Sequence, residues 1–393
     1  MERKLYKLVK KLAILYYRFL CLVLPVNQKR VVFDSSLGKS YAGNPKYIYE
    51  YLVANGYDIK WDCIWFYEKD KYNIPGMSRQ VQYGRMRYLY YMATAKIWVF
   101  DNRQPEFLIR RKDTYYIQTW HGTPLKKLAL DMEDVFMVGE TDINEYKKHF
   151  AKNVQTWDYL ISQNAFSSET FARAFDFHKK MLEIGYPRND ILFRDNNEEA
   201  IKRHKKMLGL PTDKKIILYA PTWRDDEFYG SGQYKFTLEL DLDRLKKEFG
   251  DEYVIVLRTH YYVVDALDLT PYKGFVYNGS VYNDIARLYL ISDVLITDYS
   301  SVFFDYANLR RPMIFFMYDL EKYRGTLRGF YFDAEAELPG PILQTNDEMV
   351  DAIRHLDQIE VDYKEKYDAF YDKYCAWEDG TSTEKVVKAV FGK

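Results

Sequence analysis

The sequence predicts an α/β protein with two domains, each built on a parallel sheet. Short apolar runs alternate with longer helical patterns along most of the 393 residues. Such alternation favours parallel strands with helices on both faces of the sheet. The chain is too long for one ordinary core and suits two domains. Polar clusters follow several apolar runs, at the carboxyl ends of strands where open α/β sheets bind ligands.

Composition excludes several other classes. With 48% hydrophobic and 29% charged residues the chain is globular. Lys+Arg and Asp+Glu each number 57, so bulk charge gives no indication of a nucleic-acid partner, and we expect none. Cys21, Cys63 and Cys375 lack the spacing of a disulfide framework or a metal site, which suits a reducing compartment.

Residues 1–29 differ from the rest by their positive charge. Residues 1–30 carry eight Lys or Arg side chains against Glu2 alone, interleaved with apolar side chains. The apolar stretch 12–26 is interrupted by Arg18 and falls short of the ~20 residues that span a bilayer. We predict a basic amphipathic helix lying on an anionic inner leaflet. A helix that docks a partner and a signal anchor are the alternatives.

Residues 30–208 are predicted to form the first domain. A helix over 44–55 ends at Gly56, and a later helix begins near Ser167. The predicted strands are 31–33, 61–66, 96–100, 115–120 and 157–161.

Residues 209–372 are predicted to form the second domain. A charged helical stretch over 189–208 leads to Pro211, and we place the boundary near there, between residues 208 and 209. Residues 373–393 are predicted to be a helix that packs back across the domains. The strands predicted for this domain are 216–219, 253–257, 294–296 and 313–316.

The turn after the strand 294–296 is the first candidate site. A helix is predicted to begin near Ser300, and an unpaired helix N-terminus suits a phosphate. Ser300 and Ser301 would add hydroxyl donors, and Asp305 lies on the face of Ser301. The alternative is an ordinary well-capped helix without a ligand.

The turn after the strand 115–120 is the second candidate. Here His121 is followed by Gly122 and Thr123, a combination that suits a ligand better than a core. His121 could act as a general base because its ordinary pKa lies near neutrality. A turn histidine bonded to backbone is the alternative.

Three further polar clusters follow predicted strands or turns. They are 220–226, 258–261 and the turn at Arg188. Each brings a group that can meet an anion, although Arg258 could instead form a structural salt bridge and Arg188 could be solvated. In a two-domain α/β protein we expect these strand ends to face one common cleft.

Four of these motifs together resemble the CDP-glycerol glycerophosphotransferase family, whose members make wall teichoic acid in Gram-positive bacteria. The motifs are 120–126, 219–224, 258–260 and 297–305, and the resemblance covers roughly residues 30–385. It implies a GT-B-like fold of two Rossmann-type, doubly wound domains facing a central cleft. The first domain would take the acceptor and the second CDP-glycerol. The implied reaction transfers sn-glycerol 3-phosphate from CDP-glycerol and releases CMP.

The resemblance also implies the functional residues. His121 would take the acceptor proton and His260 would bind a phosphate oxygen or protonate the leaving group, although the two roles could be exchanged. No cofactor is required, and assistance by Mg²⁺ stays open. The implied CDP-glycerol positions are His121, Gly122, Thr123, Pro124, Leu125, Arg188, Thr222, Trp223, Thr259, His260, Ser300, Ser301 and Asp305.

The implied acceptor is an undecaprenyl diphosphate-linked disaccharide or a growing teichoic acid chain. The enzyme would then be peripheral, at the cytoplasmic face of the cell membrane, with a homo-oligomer left open. The chain's length favours a primase-type enzyme over a glycerol or ribitol phosphate polymerase. A nucleotide-sugar glycosyltransferase and a non-catalytic membrane scaffold are the more distant alternatives.

Overall fold

The computed structural model describes residues 2–134, 142–222, 228–230, 233–234, 238–259, 268–322 and 329–392. Contacts within the chain divide it into two compact units. The first unit comprises Met1–His121, Leu128–Arg188 and Thr381–Lys393, and the second Gly122–Lys127 and Asn189–Gly380.

The first unit contains a seven-stranded parallel sheet. Its strand order is β3-β2-β1-β4-β5-β6-β7, so successive connections run outward in one direction from β1 and then in the other from β4. This is a doubly wound sheet whose topological switch point lies between β1 and β4. The strands are β1 Asn27–Asp34, β2 Asp62–Tyr67, β3 Arg79–Gln82, β4 Ala95–Phe100, β5 Tyr115–Gln118, β6 Tyr159–Ser162 and β7 Lys180–Glu183.

The strands predicted for this sheet are confirmed except at their ends and edges. The strand predicted to reach Trp120 ends at Gln118, because Trp120 adopts φ +53°. Strands β3 and β7 were missed. Each is a short edge strand with one fully buried side chain, so neither shows the continuous apolar run of a central strand.

Five helices described between residues 2 and 174 accompany this sheet. Buried side chains line both faces of the sheet, for example Val32 and Trp98 on one face and Val31 and Trp65 on the other. The helices are α1 Glu2–Val23, α2 Gly43–Ala54, α3 Met86–Thr94, α4 Ile143–Val154 and α5 Ala165–Ala174.

The predicted N-terminal helix is confirmed as α1, and it has two unlike faces. Tyr17 and Leu20 are buried in the core beside α3, and the Tyr17 hydroxyl donates to the Ile109 carbonyl at 2.8 Å. Among the described helices, none is both long and apolar enough to cross a membrane. The outer face exposes large apolar side chains, namely Leu5, Leu8, Val9, Leu12, Leu15, Phe19, Leu22 and Val23.

The second unit contains a six-stranded parallel sheet. Its order, β12-β11-β8-β13-β14-β15, is again doubly wound, with the switch point between β8 and β13. A two-stranded antiparallel pair, β9 Phe228–Gly230 and β10 Gln233–Tyr234, lies outside it. The sheet's strands are β8 Lys215–Ala220, β11 Tyr253–Leu257, β12 Val276–Asn278, β13 Val294–Thr297, β14 Met313–Phe316 and β15 Ile342–Leu343.

Nine described helices belong to the second unit. The single charged helix predicted over 189–208 is two helices, because Asn197 caps the second one through the backbone N–H of Ala200. Both belong to the second unit, whereas the sequence analysis placed them in the first domain. The helices are α6 Asp190–Arg194, α7 Glu198–Met207, α8 Leu242–Phe249, α9 Ile285–Ile291, α10 Val302–Tyr306, α11 Ala334–Glu337, α12 Asn346–Arg354, α13 Leu356–Asp362 and α14 Lys364–Tyr374.

The C-terminal segment returns to the first unit as α15 Ser382–Val390. Its buried side chains, including Val386 and Val387, join the core cluster that contains Ile48 and Leu52 of α2. Phe391 adds an edge-to-face contact with Trp61, with ring centroids 5.3 Å apart. The first unit is therefore closed by residues that follow the whole of the second in the chain.

Candidate active site

His121 is held at the carboxyl end of β5 by a strained turn. Trp120 has φ +53°, which is unusual for a residue with a bulky side chain. Its ring is buried against Phe175, and His121 stacks on it with ring centroids 4.4 Å apart. Backbone strain of this kind persists only where surrounding contacts impose it, and it occurs often at functional sites.

The His121 ring makes a hydrogen bond that selects one tautomer. Its Nδ1 lies 2.9 Å from the carbonyl oxygen of Asp101, which can only accept. Nδ1 must therefore carry the proton, and in the neutral ring Nε2 keeps a lone pair. A proton acceptor on an exposed residue is what a general base requires.

The pKa of His121 lies below its ordinary value. Surrounding protein is the main cause and the positive charge of Arg188 adds to it, while the charge and carbonyl of Asp101 act in the opposite direction. The residue nevertheless remains exposed to solvent. The direction keeps the imidazole neutral, and so able to accept a proton, at neutral pH.

Arg188 belongs to the same unit and holds this turn through a hydrogen bond to its backbone. It is nearly buried in the turn Pro187–Asn189, and its Nη1 donates to the His121 carbonyl at 2.9 Å. The alternative of a solvated Arg188 is wrong, because the guanidinium also lies over the Tyr186 ring.

Asn44 links the two turns and was missed by the sequence analysis. Its Nδ2 donates to the carbonyls of Thr119 and Trp120 at 3.1 and 3.3 Å. Its Oδ1 accepts the backbone N–H of Arg188 at 3.1 Å. The only signal in the sequence was a polar residue in the first turn of a helix that is otherwise buried.

Two aspartates meet at the switch point of the first unit. Asp34 ends β1 and Asp101 follows β4, and both are buried. Burial and the neighbouring charge of Asp101 raise the pKa of Asp34 to about 8. Asp34 is therefore mostly protonated at neutral pH.

One aspartate organises the switch point of the second unit. Asp298 follows β13, and its Oδ1 accepts the backbone N–H groups of Thr222 and Tyr299 at 2.7 and 2.6 Å. The carboxylate thus ties the loop after β8 to the turn that leads to Ser300 and Ser301. This places Thr222 and the serine pair at the crevice where a doubly wound sheet binds its ligand.

Both serines of this turn remain partly exposed. The helix predicted to begin near Ser300 begins at Val302, with Ser301 as the residue before it, and the Ser301 side chain makes no capping hydrogen bond. The turn is instead held by Asp298. Phe303 and Phe304 in the first turn of α10 are buried.

The segment Gly122–Lys127 packs with Ser301 in the second unit. A Cβ atom on Gly122 would lie 2.9 Å from Ser301 Oγ, closer than real contacts allow, so the glycine permits this approach. The backbone of Leu125 and Lys127 bonds to Tyr331 and Gly329. Thr123, Pro124 and Leu125 are buried.

Thr259 follows β11 and is supported by Ser280, a second residue that the sequence did not indicate. Its backbone N–H donates to Ser280 Oγ at 2.9 Å. Arg258 was considered as an anion-binding residue, but its guanidinium binds backbone carbonyl groups. Its Nη1 donates to the carbonyls of Gly279, Ser280 and Tyr282, so its role is structural.

Asp305 is almost fully buried beside Asn189 and Glu378. Asn189 Nδ2 donates to Asp305 Oδ1 at 3.0 Å and to Glu378 Oε1 at 2.9 Å. Contact of Asp305 with a substrate hydroxyl stays a prediction. Trp223 and His260 lie outside the described residues. Within the described ranges, no group of three or more His, Cys, Asp or Glu side chains is placed to hold a metal ion.

Fold and motifs define a class. The family model of CDP-glycerol:poly(glycerophosphate) glycerophosphotransferase matches residues 15–392, and the chain belongs to this family.

The chain is 49% identical over 395 aligned residues to the teichoic acid poly(glycerol phosphate) polymerase of Bacillus subtilis, covering 99% of this chain but 52% of that protein. It is 48% identical to the protein of the same name from Bacillus spizizenii, covering 94% of each. The chain thus spans about half the length of the first relative and nearly all of the second.

Solved structures confirm the fold. The wall teichoic acid polymerase TagF superposes with a TM-score of 0.91 at 43% identity, covering 99% of this chain and 96% of that one. A variant of TagF soaked with CDPG matches with the same score. The prediction of a GT-B-like protein with two Rossmann-type sheets is confirmed.

Proposed function

We propose that the protein transfers sn-glycerol 3-phosphate from CDP-glycerol to a teichoic acid acceptor and releases CMP. The observation that carries this proposal is the course of the chain at residues 121–122. His121, with an unprotonated Nε2, is joined by one peptide bond to Gly122, which contacts the Ser301 hydroxyl. Consecutive Cα atoms are 3.8 Å apart. A candidate base and a candidate phosphate-binding hydroxyl are therefore connected through two residues.

The proposed step is a substitution at phosphorus. A hydroxyl oxygen of the acceptor bonds to the phosphorus that carries glycerol, and the bond from that phosphorus to the CMP oxygen breaks. The hydroxyl proton passes to Nε2 of His121, and CMP leaves with the bonding electron pair. Such transfers depend mostly on positioning and charge neutralisation. No metal is required by this scheme, although Mg²⁺ could assist.

The remaining predicted residues would hold the donor. Ser300 and Ser301 donate hydroxyl hydrogen bonds to the diphosphate, and Arg188 neutralises developing charge. Thr222 and Thr259 lie at strand ends of the second sheet, where a nucleotide is bound in this fold class. Asp305 accepts from ribose or glycerol hydroxyls. His260 binds a phosphate oxygen or protonates the leaving group.

The acceptor is proposed to be carried on a lipid diphosphate. The exposed apolar face of α1, together with Lys7, Lys10, Lys11 and Arg18, suits an anionic membrane surface. An enzyme held there meets an undecaprenyl diphosphate-linked glycan directly. The cytoplasmic face is the side that offers a nucleotide-activated donor.

The enzyme could be a primase, which adds one or two glycerol phosphate units, or a polymerase, which adds many. Length predicted a primase-type enzyme that adds one or two units. A relative named as a polymerase matches over 94% of both chains, so length does not separate the two types. The identities of 48–49% with two such polymerases favour repeated addition.

The test combines the purified chain, vesicles and defined substrates. CDP-glycerol, CDP-ribitol and a UDP-sugar are each offered with a synthetic lipid-linked disaccharide, and CMP or UDP is measured alongside product length. We expect CMP from CDP-glycerol, with a ladder for a polymerase and one or two units for a primase. UDP release would favour a glycosyltransferase. Nucleotide binding without turnover on any acceptor would favour a scaffold.

A further inference from the structure

The Asp101 carboxylate and the turn it binds lie directly behind the candidate base. Its Oδ2 accepts the Ser35 hydroxyl at 2.7 Å. Its Oδ1 accepts the backbone N–H of Ser36 at 2.9 Å and the Asn102 amide at 2.8 Å. With three donors on one nearly buried carboxylate, the backbone of Asp101 has little freedom to move.

The turn that supplies two of these donors is itself strained. Ser36 and Leu37 have φ values of +52° and +56°, and Gly38 has +79°. Three successive left-handed residues are costly unless neighbouring groups impose them. Gly38 cannot be replaced without a clash, because a Cβ there would lie 3.0 Å from the backbone nitrogen of Glu68.

Asp34 completes this arrangement from the adjacent strand. One of its carboxyl oxygens accepts the backbone N–H of Gly38, and the other accepts Gln104 Nε2 at 3.3 Å. Because Asp34 is mostly protonated near neutral pH, it holds the turn without placing a second negative charge beside Asp101. The charge of Asp101 is therefore the anionic neighbour that His121 experiences within this unit.

We infer that Asp101 is a positioning residue of the proposed transfer: its anchored carboxylate fixes its own carbonyl oxygen, which orients His121 and keeps the proton on Nδ1. The inference rests on the proposed function, in which Nε2 must be the proton acceptor. A base oriented by a third group is the general arrangement of acid–base sites. Here the atom that orients His121 is the backbone carbonyl oxygen of Asp101. The Asp101 side chain acts indirectly, by holding that carbonyl in place.

The charge of Asp101 has a second effect. When Nε2 accepts the proton, the imidazole becomes positive, and a nearby negative charge stabilises that form. The groups that face His121 within the first unit are Asp101, which raises its pKa, and Arg188, which lowers it. Those that face Asp34 are Asp101 and the tyrosines Tyr72, Tyr83, Tyr88 and Tyr116.

The principal variant is Asp101→Asn, examined in the full chain with CDP-glycerol and the lipid-linked acceptor. We expect kcat to fall by about 10²-fold or less with KM for CDP-glycerol nearly unchanged, since the base is misplaced and the donor is not. The acid limb of the kcat/KM profile should move to lower pH, because removal of the charge lowers the pKa of His121. Ser35→Ala should lower kcat and move the acid limb to lower pH as well, but by smaller amounts.

Nitrogen-15 NMR of the histidines reads the tautomer directly, and loss of a signal in His121→Gln assigns the ring. We expect Nδ1–H in the unaltered protein and a shift towards Nε2–H in Asp101→Asn. Asp176→Asn is the control, since Asp176 is exposed, pairs with His178 and has a φ that asparagine accepts. It should leave rate, profile and tautomer unchanged.

A folded Asp101→Asn protein with the original tautomer and an unmoved acid limb would overturn the inference. If that variant does not fold, the same result in Ser35→Ala decides against it. Absence of transfer by the unaltered protein would count against the proposed function instead. The NMR measurement would then still decide whether Asp101 sets the state of the ring.

Discussion

The two units use the same device at their switch points, but with different numbers of carboxyl groups. In each, an aspartate after the fourth strand in sheet order, Asp101 or Asp298, accepts a backbone N–H from the loop after the first strand. The first strand itself ends in Asp34 in one unit and in Ala220 in the other. The comparison teaches that one carboxylate suffices to shape a switch-point loop. The second carboxyl of the first unit, Asp34, has no counterpart at the end of β8 in the second unit.

The largest effect on turnover should come from removing the His121 imidazole of the first unit. We expect His121→Ala to reduce turnover by about 10²–10⁴-fold, because acid–base groups contribute that much. His260→Ala should act on the same scale if its predicted role is right. His178→Ala removes an exposed imidazole paired with Asp176 and is the matched control. Near-normal turnover of both site variants would reject the acid–base assignment.

The shared device is tested by Asp298→Ala in the second unit. The change leaves the backbone N–H groups of Thr222 and Tyr299 without this acceptor, at a cost of roughly 2–5 kcal/mol of unfolding free energy. Affinity for CDP-glycerol should fall with it. Urea unfolding and donor titration measure the two effects.

Asp268→Ala provides the control for this variant, because Asp268 accepts one exposed backbone N–H that water can satisfy. We expect a change within about 0.5–1 kcal/mol there. Equal losses in Asp298→Ala and Asp268→Ala would mean that the switch-point carboxylate has no special part in the second sheet.

The close approach of Gly122 to Ser301 should give a smaller effect. We expect Gly122→Ala to lower stability by about 1–3 kcal/mol, because the new methyl group meets the hydroxyl. Ser301→Ala removes that oxygen, and a Cβ on Gly122 would lie 3.7 Å from the Ser301 Cβ, so the double variant should recover much of the loss. A double-mutant cycle by thermal unfolding measures the coupling. Additive losses would contradict the contact.

The last prediction concerns the extra carboxyl of the first unit and the pH dependence of stability. The folded protein holds a proton on Asp34 up to about pH 8, whereas the unfolded chain releases it near its ordinary pKa of about 3.9. Stability contributed by this group is therefore present at low pH and decreases as pH rises through that window. Asp34→Asn should flatten the decrease.

The measurement is the urea midpoint at pH 5 and pH 9, with Asp176→Asn as the control that keeps the wild-type slope. All other titrating groups are shared, so the difference between variant and wild type isolates Asp34. An equal decrease in both proteins would mean that Asp34 ionises normally in the fold.

Central strands and the turns after them were predictable from the sequence, and contacts between distant turns were not. The strands 216–219 and 253–257 are buried on both faces, so their sequences are continuous apolar runs. Such runs predict a central strand. Edge strands β3 and β12 carry few fully buried side chains and were missed.

For the site, sequence indicated His121 and Ser301 because reactive or hydroxyl side chains followed strands. It did not indicate Asn44, Asp101 or Ser280. Their hydrogen bonds to Thr119 and Trp120, to Ser35 and Ser36, and to Arg258 and Thr259 span 75–76, 65–66 and 21–22 residues, respectively. Asn44, for example, acts on Arg188 at a separation of 144 residues. Such hydrogen bonds depend on which strands lie side by side in the sheet. The local pattern of apolar and polar residues does not predict the order of the strands.

The return of α15 to the first unit has a consequence for how the chain is made. The α2 face that α15 covers emerges from the ribosome long before Val386, Val387 and Phe391 are synthesised. Until then, apolar side chains such as Ile48 and Leu52 lack part of their native cover. During synthesis the first unit therefore stays incomplete until α15 has been made. At this stage the uncovered apolar face of α2 is a surface that chaperones can bind.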